Sequence, residues 1–404
     1  MQRQPISAPI LAALLAGLAM LGPFSVDTFL PSFPAIGRDL ALTPAELQQT
    51  LTVYFFPFAV MTLFHGTLSD SFGRRPVILV SLIIYAMASV GCVFAYDFPQ
   101  LLIFRVLQGM SAGTGMVVGR AIIRDSFEGH AAQRLMSLVT IIFGLAPAIA
   151  PVLGGWLLGW FGWRAVFVFL TLYALLLLAV SWWRMPETHP LSARQPFALV
   201  PLAGNYWKLA RSPQLLLLCA TVAFNFGGFF IYVVSAPAFV YNLLGLNERQ
   251  FAWLFVPAIA GVMIGAFLSG RFAGKVSPGR TLGIAYCIMF SAAAFNVTYG
   301  ALAAPALPWS VLPVMIYAIG MALAMPSVTL IALELFPANR GMTSSLLGFV
   351  HSFTSAIIAG AISPLLSHSG ITLALGMTGL LVVGCASWLA YLWLEPGSQD
   401  DART

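Results

Sequence analysis

Few residues in this chain can ionise, and their positions narrow the chemistry open to it. Asp27 lies in Gly22-Pro-Phe-Ser-Val-Asp27-Thr-Phe-Leu-Pro31, within one long apolar run, and Arg105 lies in Leu101-Leu-Ile-Phe-Arg105-Val-Leu-Gln108-Gly109, within another. An ionisable side chain inside an apolar helix costs about 2.5–3.5 kcal/mol to insert, so it normally faces a partner or a water-filled cavity. Two readings stand for Asp27: an acid or cap near the end of a helix, or a carrier that takes up a proton on one side and releases it on the other. Arg105 is about six residues into its helix, roughly 9 Å deep at about 1.5 Å per residue and about level with Asp27. The two can meet or communicate through water. Gln108, three residues on, shares the face of Arg105 and can carry hydrogen bonds onward. A structural ion pair and a part in proton coupling are both open for the arginine.

A second set of charges sits between apolar runs. Gly66-Thr-Leu-Ser-Asp70-Ser-Phe-Gly73-Arg74-Arg75-Pro76 packs an acid, two arginines and two glycines into eleven residues. Asp70 falls just inside the end of one helix, where it can pair across the loop, and Pro76 suits the first turn of the next. Arg120-Ala-Ile-Ile-Arg124-Asp125 sets two arginines one turn apart on a shared face beside an acid, which fits either a solvated gate or a contact with substrate. Gly144-Leu-Ala-Pro147-Ala-Ile-Ala-Pro151-Val-Leu-Gly154-Gly155 holds two prolines four apart among glycines. That pattern favours a bent helix with small, closely packed faces, serving packing alone or a hinge. Tyr54, Phe58, Met110, Phe143, Phe224 and Tyr232 can line an aromatic, adaptable cavity, though each type is also ordinary core. His65 and His351 stand singly, and a local hydrogen bond is the plainer role for each.

The elements that must position these residues follow from composition. Of 404 residues, 60% are hydrophobic and 8% charged, with a mean hydropathy of +0.92; soluble domains carry about 25% charged residues. A membrane-spanning helix takes about 20 apolar residues, and about twelve such runs are expected, near 8–30, 45–68, 76–95, 99–119, 135–158, 164–183, 214–237, 250–270, 280–301, 308–332, 342–366 and 371–394. The first run is too long for a signal peptide and continues through Pro23 and Asp27, so it is read as a span. The basic residues set the orientation. With the N-terminus inside, fifteen fall on the cytoplasmic side, from Arg3 through Arg74, Arg75, Arg120, Lys208 and Arg211 to Arg403, against Arg38, Arg164 and Arg249 outside. Such an excess is the positive-inside signal, and the net charge of +6 is a matter of topology rather than of nucleic-acid binding.

Residues 184–213 are the longest polar interruption. They divide the chain into an N-terminal six-helix bundle (1–183), a central cytoplasmic loop (184–213) and a C-terminal six-helix bundle (214–404). The second half repeats the first faintly: Ser269-Gly-Arg-Phe-Ala-Gly-Lys275 follows Ser69-Asp-Ser-Phe-Gly-Arg-Arg75, with Gly270 where the first copy has Asp70. Asp125-Ser-Phe127 with Arg134 is echoed by Glu334-Leu-Phe336 with Arg340. Related halves of this kind mark transporters with a substrate site between them near the bilayer midplane. Cys92, Cys219, Cys287 and Cys385 lie singly in four runs, which speaks against a disulfide framework or a metal site. The chain carries no phosphate-binding G-x-x-x-x-G-K-[ST] loop, so no nucleotide is expected to drive it directly, and no nucleophile elbow or paired catalytic carboxylate suggests an enzyme.

The loop G-x-x-x-D-x-x-G-R-R-P, the Arg105-Val-Leu-Gln108-Gly109 stretch and the Gly144 to Gly155 stretch resemble the three signature motifs of drug antiporters of the major facilitator superfamily. Asp27 with Leu30-Pro31, Arg120-Ala-Ile-Ile-Arg124-Asp125, Gly162-Trp163-Arg164 and Ser235-Ala-Pro237 are similar to the bicyclomycin-resistance (Bcr/CflA) subfamily of bacterial inner-membrane efflux pumps. The resemblance implies the major facilitator fold, an all-α membrane protein with twelve spans in two pseudo-symmetric six-helix bundles. It also implies export of unlike small-molecule drugs in exchange for protons, by alternating access. Asp27, Arg105 and Gln108 are then the proton-coupling residues, with Asp27 as acceptor. Gly66, Asp70, Gly73, Arg74 and Arg75 form the gating loop, and Gly144, Pro147, Pro151, Gly154 and Gly155 shape the rocking helix. Tyr54, Phe58, Met110, Arg120, Asp125, Phe143, Phe224 and Tyr232 are candidates for the substrate cavity. No cofactor beyond the coupling proton, no metal and no nucleic-acid partner are expected, and a monomer in the lipid bilayer with both termini cytoplasmic. The alternative is a proton-coupled exporter of one metabolite, a sugar or an amino acid, on the same fold.

Overall fold

Residues 8–394 are described by a computed structural model; Arg3 and Arg403, counted above on the inner side, lie outside the described residues. Twelve helices are long and apolar enough to cross a bilayer. In the first half they are α1 (Pro9–Asp39), α2 (Pro44–Phe72), α3 (Arg74–Phe94), α4 (Phe98–Ser126), α5 (Gly129–Phe161) and α6 (Arg164–Arg184). In the second they are α7 (Pro213–Val234), α8 (Glu248–Phe272), α9 (Pro278–Leu302), α10 (Leu312–Leu335), α11 (Pro337–Leu366) and α12 (Gly370–Leu394). A further, linker helix (Leu199–Ala210) lies between the halves.

Local sequence explains where the spans begin and end. Thr43 caps α2 in a capping box with Glu46, followed by Pro44 in the first turn; Asp97, Ser212 and Ser277 cap α4, α7 and α9, each followed by a proline at the start of the helix. A cap oxygen supplies an acceptor that the first turn lacks, and proline has no donor to lose there. Several spans outrun their expected ends. α1 continues through a 3-10 turn at Leu30–Ser32 to Asp39, α4 reaches Ser126 rather than 119, and α5 starts at Gly129 rather than 135. Polar residues end an apolar run without ending the backbone hydrogen bonding, so the helices project past the hydrophobic layer.

Three helix pairs recur in both halves. In the first, α1 lies on α5, α2 on α4 and α3 on α6; in the second, α7 lies on α11, α8 on α10 and α9 on α12. The fold expected from the sequence is the one found: twelve spans in two related six-helix bundles. Side chains such as Met87, Leu172, Leu176 and Phe267 stand exposed around the outside, an apolar belt that a bilayer covers.

The bundles meet through α2 against α11 and α5 against α8. At the end opposite the 66–76 loop, Gln48 Nε2 donates to the Val234 carbonyl at 3.0 Å. At the same end the Tyr241 hydroxyl donates to the Pro31 carbonyl at 2.7 Å.

Candidate functional site

Arg105 is fully buried on α4. Its Nη1 donates to the Ser25 carbonyl at 3.0 Å and to Gln108 Oε1 at 2.9 Å, and Nε reaches the Thr50 carbonyl at 3.4 Å. The guanidinium lies over the rings of Tyr54 and Phe29, 4.5 and 4.7 Å from their centroids. Nη2 is buried without a partner. Gln108 passes the chain on as expected, its Nε2 donating to Ser89 Oγ at 2.8 Å, and Ser89 Oγ donates in turn to the Tyr85 carbonyl at 2.8 Å. Ser25 also shares a hydrogen bond with the Tyr85 hydroxyl. The arginine is therefore held by carbonyls, an amide and two ring faces, with no carboxylate among its partners.

Asp27 is buried at the end of the regular part of α1, and among the described residues nothing hydrogen-bonds or ion-pairs with its carboxylate. The direct contact with Arg105 that the sequence left open is not formed in this conformation. Tyr54 stands within electrostatic reach of both. A buried cation without an anion and a buried acid without a cation are each costly alone. Bringing them together, or protonating the acid, relieves that cost.

The second bundle repeats this arrangement without the charge. Asn225 follows Ser25 by the same interval that separates Ser269 from Ser69, and its Nδ2 donates to the Tyr286 hydroxyl of α9 at 3.1 Å, as Ser25 meets Tyr85 of α3. Its carbonyl accepts from the Tyr317 hydroxyl of α10 at 2.9 Å, where the Ser25 carbonyl accepts from Arg105 of α4. Ser25, Tyr85, Ser89 and Asn225 escape a sequence reading because hydroxyls and amides are common in spans; the faint repeat was the one signal that could have paired them.

At the 66–76 loop, Gly73 joins α2 to α3 with φ of +99°, a conformation that favours glycine. Arg74, also buried, gathers the cluster: Nη1 donates to Ser69 Oγ at 2.7 Å and pairs with Asp70, while Nε meets Asp125 Oδ2 at 2.9 Å. Its backbone N–H donates to Glu187 Oε1 at 3.0 Å, and Thr188 Oγ1 donates to Asp125 at 3.3 Å. Arg75 donates to the Trp182 carbonyl at 2.7 Å and lies over that ring. Asp125, a cavity candidate by sequence, is in this conformation part of the loop cluster through Arg74. Glu187 was not singled out by the sequence, where it is one residue of the polar interruption 184–213.

α5 runs unbroken through Pro147 and Pro151. At Gly154 a Cβ would strike the Thr28 carbonyl, next to Asp27, and at Gly155 it would strike the Glu248 carbonyl across the bundle interface. Gly144 departs from the close packing expected of it, since a Cβ there would meet nothing within 4 Å, and one at Gly66 would only reach Val117 at 4.0 Å.

The remaining cavity candidates separate. Tyr54 is buried against Arg105, and Phe58 stacks on it at 6.1 Å. Tyr232 is buried inside the second bundle, where its hydroxyl accepts from Asn296 Nδ2 at 2.8 Å. Both rings are buried, each beside a polar partner. Met110 offers its carbonyl to His65 Nε2 at 3.2 Å, Phe143 and Phe224 are half-buried, and Arg120 lies within electrostatic reach of Arg124. An aromatic contact also joins the bundles, and it continues within the second one. Phe55 meets Phe230 at 5.3 Å, Phe230 stacks on Phe226 at 5.3 Å, and Phe226 meets the His351 ring at 4.2 Å.

The Major Facilitator Superfamily profile matches residues 15–359. The chain is 31% identical over 398 residues to a bicyclomycin resistance protein homologue of Haemophilus influenzae, covering 97% of each. It is 27% identical over 384 residues to multidrug resistance protein D of Escherichia coli, covering 94% of this chain and 95% of that one. A bacterial homologue of the human lysosomal transporter Spinster, solved inward-facing and occupied, shares the fold at a TM-score of 0.73, with 19% identity over 97% of both chains. Because the likeness runs through both bundles and the loop that joins α2 to α3, the chain belongs to the Major Facilitator Superfamily and is a multi-pass transporter of the bacterial inner membrane.

Proposed function

We propose that this protein exports unlike small-molecule drugs across the inner membrane in exchange for protons, by alternating access, and is not an enzyme. The observation that carries the reading is the pair of buried charges, Arg105 with no carboxylate and Asp27 with no cation, both beside Tyr54. In the exchange, a proton on Asp27 neutralises the acid and leaves Arg105 in its carbonyl nest; loss of the proton leaves an anion that draws the guanidinium, whose Nη2 has no other partner. That movement reaches α5, because Gly154 packs on the Thr28 carbonyl beside Asp27 and Gly155 packs on α8. The two bundles, joined by segment 184–213, rock about the central aromatic path, with the 66–76 loop and both termini cytoplasmic. The contacts at the opposite end then close the outer side in this conformation. The proton is the only coupling species, no cofactor or nucleic acid takes part, and a monomer suffices.

Relatives named for resistance to bicyclomycin and chloramphenicol suggest the first compounds to try. Adding each to purified protein in weakly buffered detergent should release protons, and Asp27→Asn should release none. Whole-cell protection against several unrelated compounds fits a drug exporter. Protection confined to one sugar or amino acid, without drug-induced proton release, would replace this reading with a metabolite exporter.

A further inference from the structure

The linker helix (Leu199–Ala210) presents two apolar faces, and among the described residues only one is covered by protein. On the inner face Leu202 and Leu209 are buried, against α7 and α11. The Tyr206 hydroxyl there donates to the Leu63 carbonyl of α2 at 2.9 Å and also bonds Ser345 of α11; burial raises the pKa of this phenol, keeping it a neutral donor. The helix therefore straps α2 of one bundle to α11 of the other. On the second face, Leu199, Val200, Ala203 and Trp207 recur at helical spacing and are exposed, Val200 at 83% and Trp207 at 60%. Arg211 lies over the Trp207 ring at 5.0 Å, and Lys208 is exposed beside it.

An apolar strip edged by bases, on a short helix directly before Ser212 caps α7, has the chemistry of a helix lying in a membrane interface. Tryptophan favours that depth, and basic residues there meet the anionic lipids of the inner leaflet. We propose that the linker helix binds anionic phospholipid of the cytoplasmic leaflet, with Leu199, Val200 and Trp207 among the acyl chains and Lys208 and Arg211 on the headgroup phosphate. The inference rests on the cytoplasmic placement of this end of the molecule. Lipid seated on the outer face presses the inner face onto the α2–α11 seam, so the lipid acts on the strap between the bundles.

The test reads lipid contact and not transport, so it stands apart from the proton-release experiment. Full-length protein is placed in nanodiscs containing brominated phosphatidylglycerol or brominated phosphatidylcholine at equal mole fraction. Subtracting Trp207→Phe from wild type isolates the quenching of Trp207. We expect phosphatidylglycerol to quench that component at least about threefold more than phosphatidylcholine. The double variant Lys208→Gln/Arg211→Gln should keep the phosphatidylcholine quenching and lose the difference. Equal quenching by both lipids in wild type overturns headgroup recognition. A preference that survives in the double variant overturns the assignment to these two bases. No quenching by either lipid places the face off the membrane and gives it to a protein partner instead.

Discussion

Arg105 matters to this chain as a fork as much as a charge. Its Nη1 serves two acceptors on different spans, Ser25 on α1 and Gln108 on α4, while the flat guanidinium lies between two rings. Lysine keeps the charge but has a compact head that cannot reproduce this geometry. Losing two hydrogen bonds at about 1 kcal/mol each corresponds to a roughly thirtyfold loss, so Arg105→Lys should lower drug–proton exchange in reconstituted vesicles by about that factor. Near-normal exchange would reduce Arg105 to a packing role. Asp27→Asn preserves size and removes proton chemistry. The variant should accumulate and insert normally, equilibrate drug down its gradient, and show no uphill efflux; undiminished active export would rule Asp27 out as the carrier. At this scale the sequence was informative because charge is rare in an apolar chain. Asp27, Arg105 and Gln108 could be picked out singly and Gln108 placed by spacing, but that Arg105 bonds the Ser25 and Thr50 carbonyls rather than Asp27 is a matter of tertiary structure, which no local pattern encodes.

Between elements, α2 and α3 are fastened to α4 and to the linker by Arg74. Asp70 and Asp125 share that arginine unequally: the side chain of Asp70 is 49% exposed and that of Asp125 is 24%. Exposed pairs contribute about 0–1 kcal/mol, and the contribution grows as water is excluded. Both Asp70→Asn and Asp125→Asn should leave drug affinity near normal and slow the exchange between inward- and outward-facing states, with Asp125→Asn the stronger. Single-molecule distance measurements across the loop end can report the populations; a large loss of affinity with unchanged populations would contradict this. At the other end, Gly155→Val adds bulk where even a Cβ collides with the Glu248 carbonyl, so it should part α5 from α8 and depopulate the state described here. The same distance measurement, made between the Trp160 and Arg249 regions, should lengthen; no change would mean that α8 yields instead. The 66–76 loop was legible because its glycines, acid and bases stand close in sequence. The contacts of Asp125 with Arg74, of Glu187 with the loop and of Gly155 with Glu248 join residues far apart in the chain, and only the fold brings them together.

For the whole molecule, the asymmetry of the two bundles bears on charge balance. The first bundle holds Arg105 and Asp27; the second repeats the contacts through the neutral Asn225, Tyr286 and Tyr317. Asp125, the rival proton site near the inner end of α4, is engaged by Arg74, and Asp39 is paired with Arg164 at 2.6 Å. If Asp27 alone among the described residues carries a proton through the span, as proposed, each cycle brings one proton in for one drug out. A neutral drug moves net charge inward, and each unit charge crossing 100 mV contributes about 2.3 kcal/mol. Its efflux should therefore respond to membrane potential even with the pH gradient collapsed. A monovalent cationic drug exchanges without net charge, so its efflux should follow the pH gradient and ignore potential. Vesicles with potential and pH gradient set independently decide between these outcomes. If the neutral drug ignores potential, or the monovalent cation depends on it, a second proton site takes part, and Asp125 must leave Arg74 during the cycle.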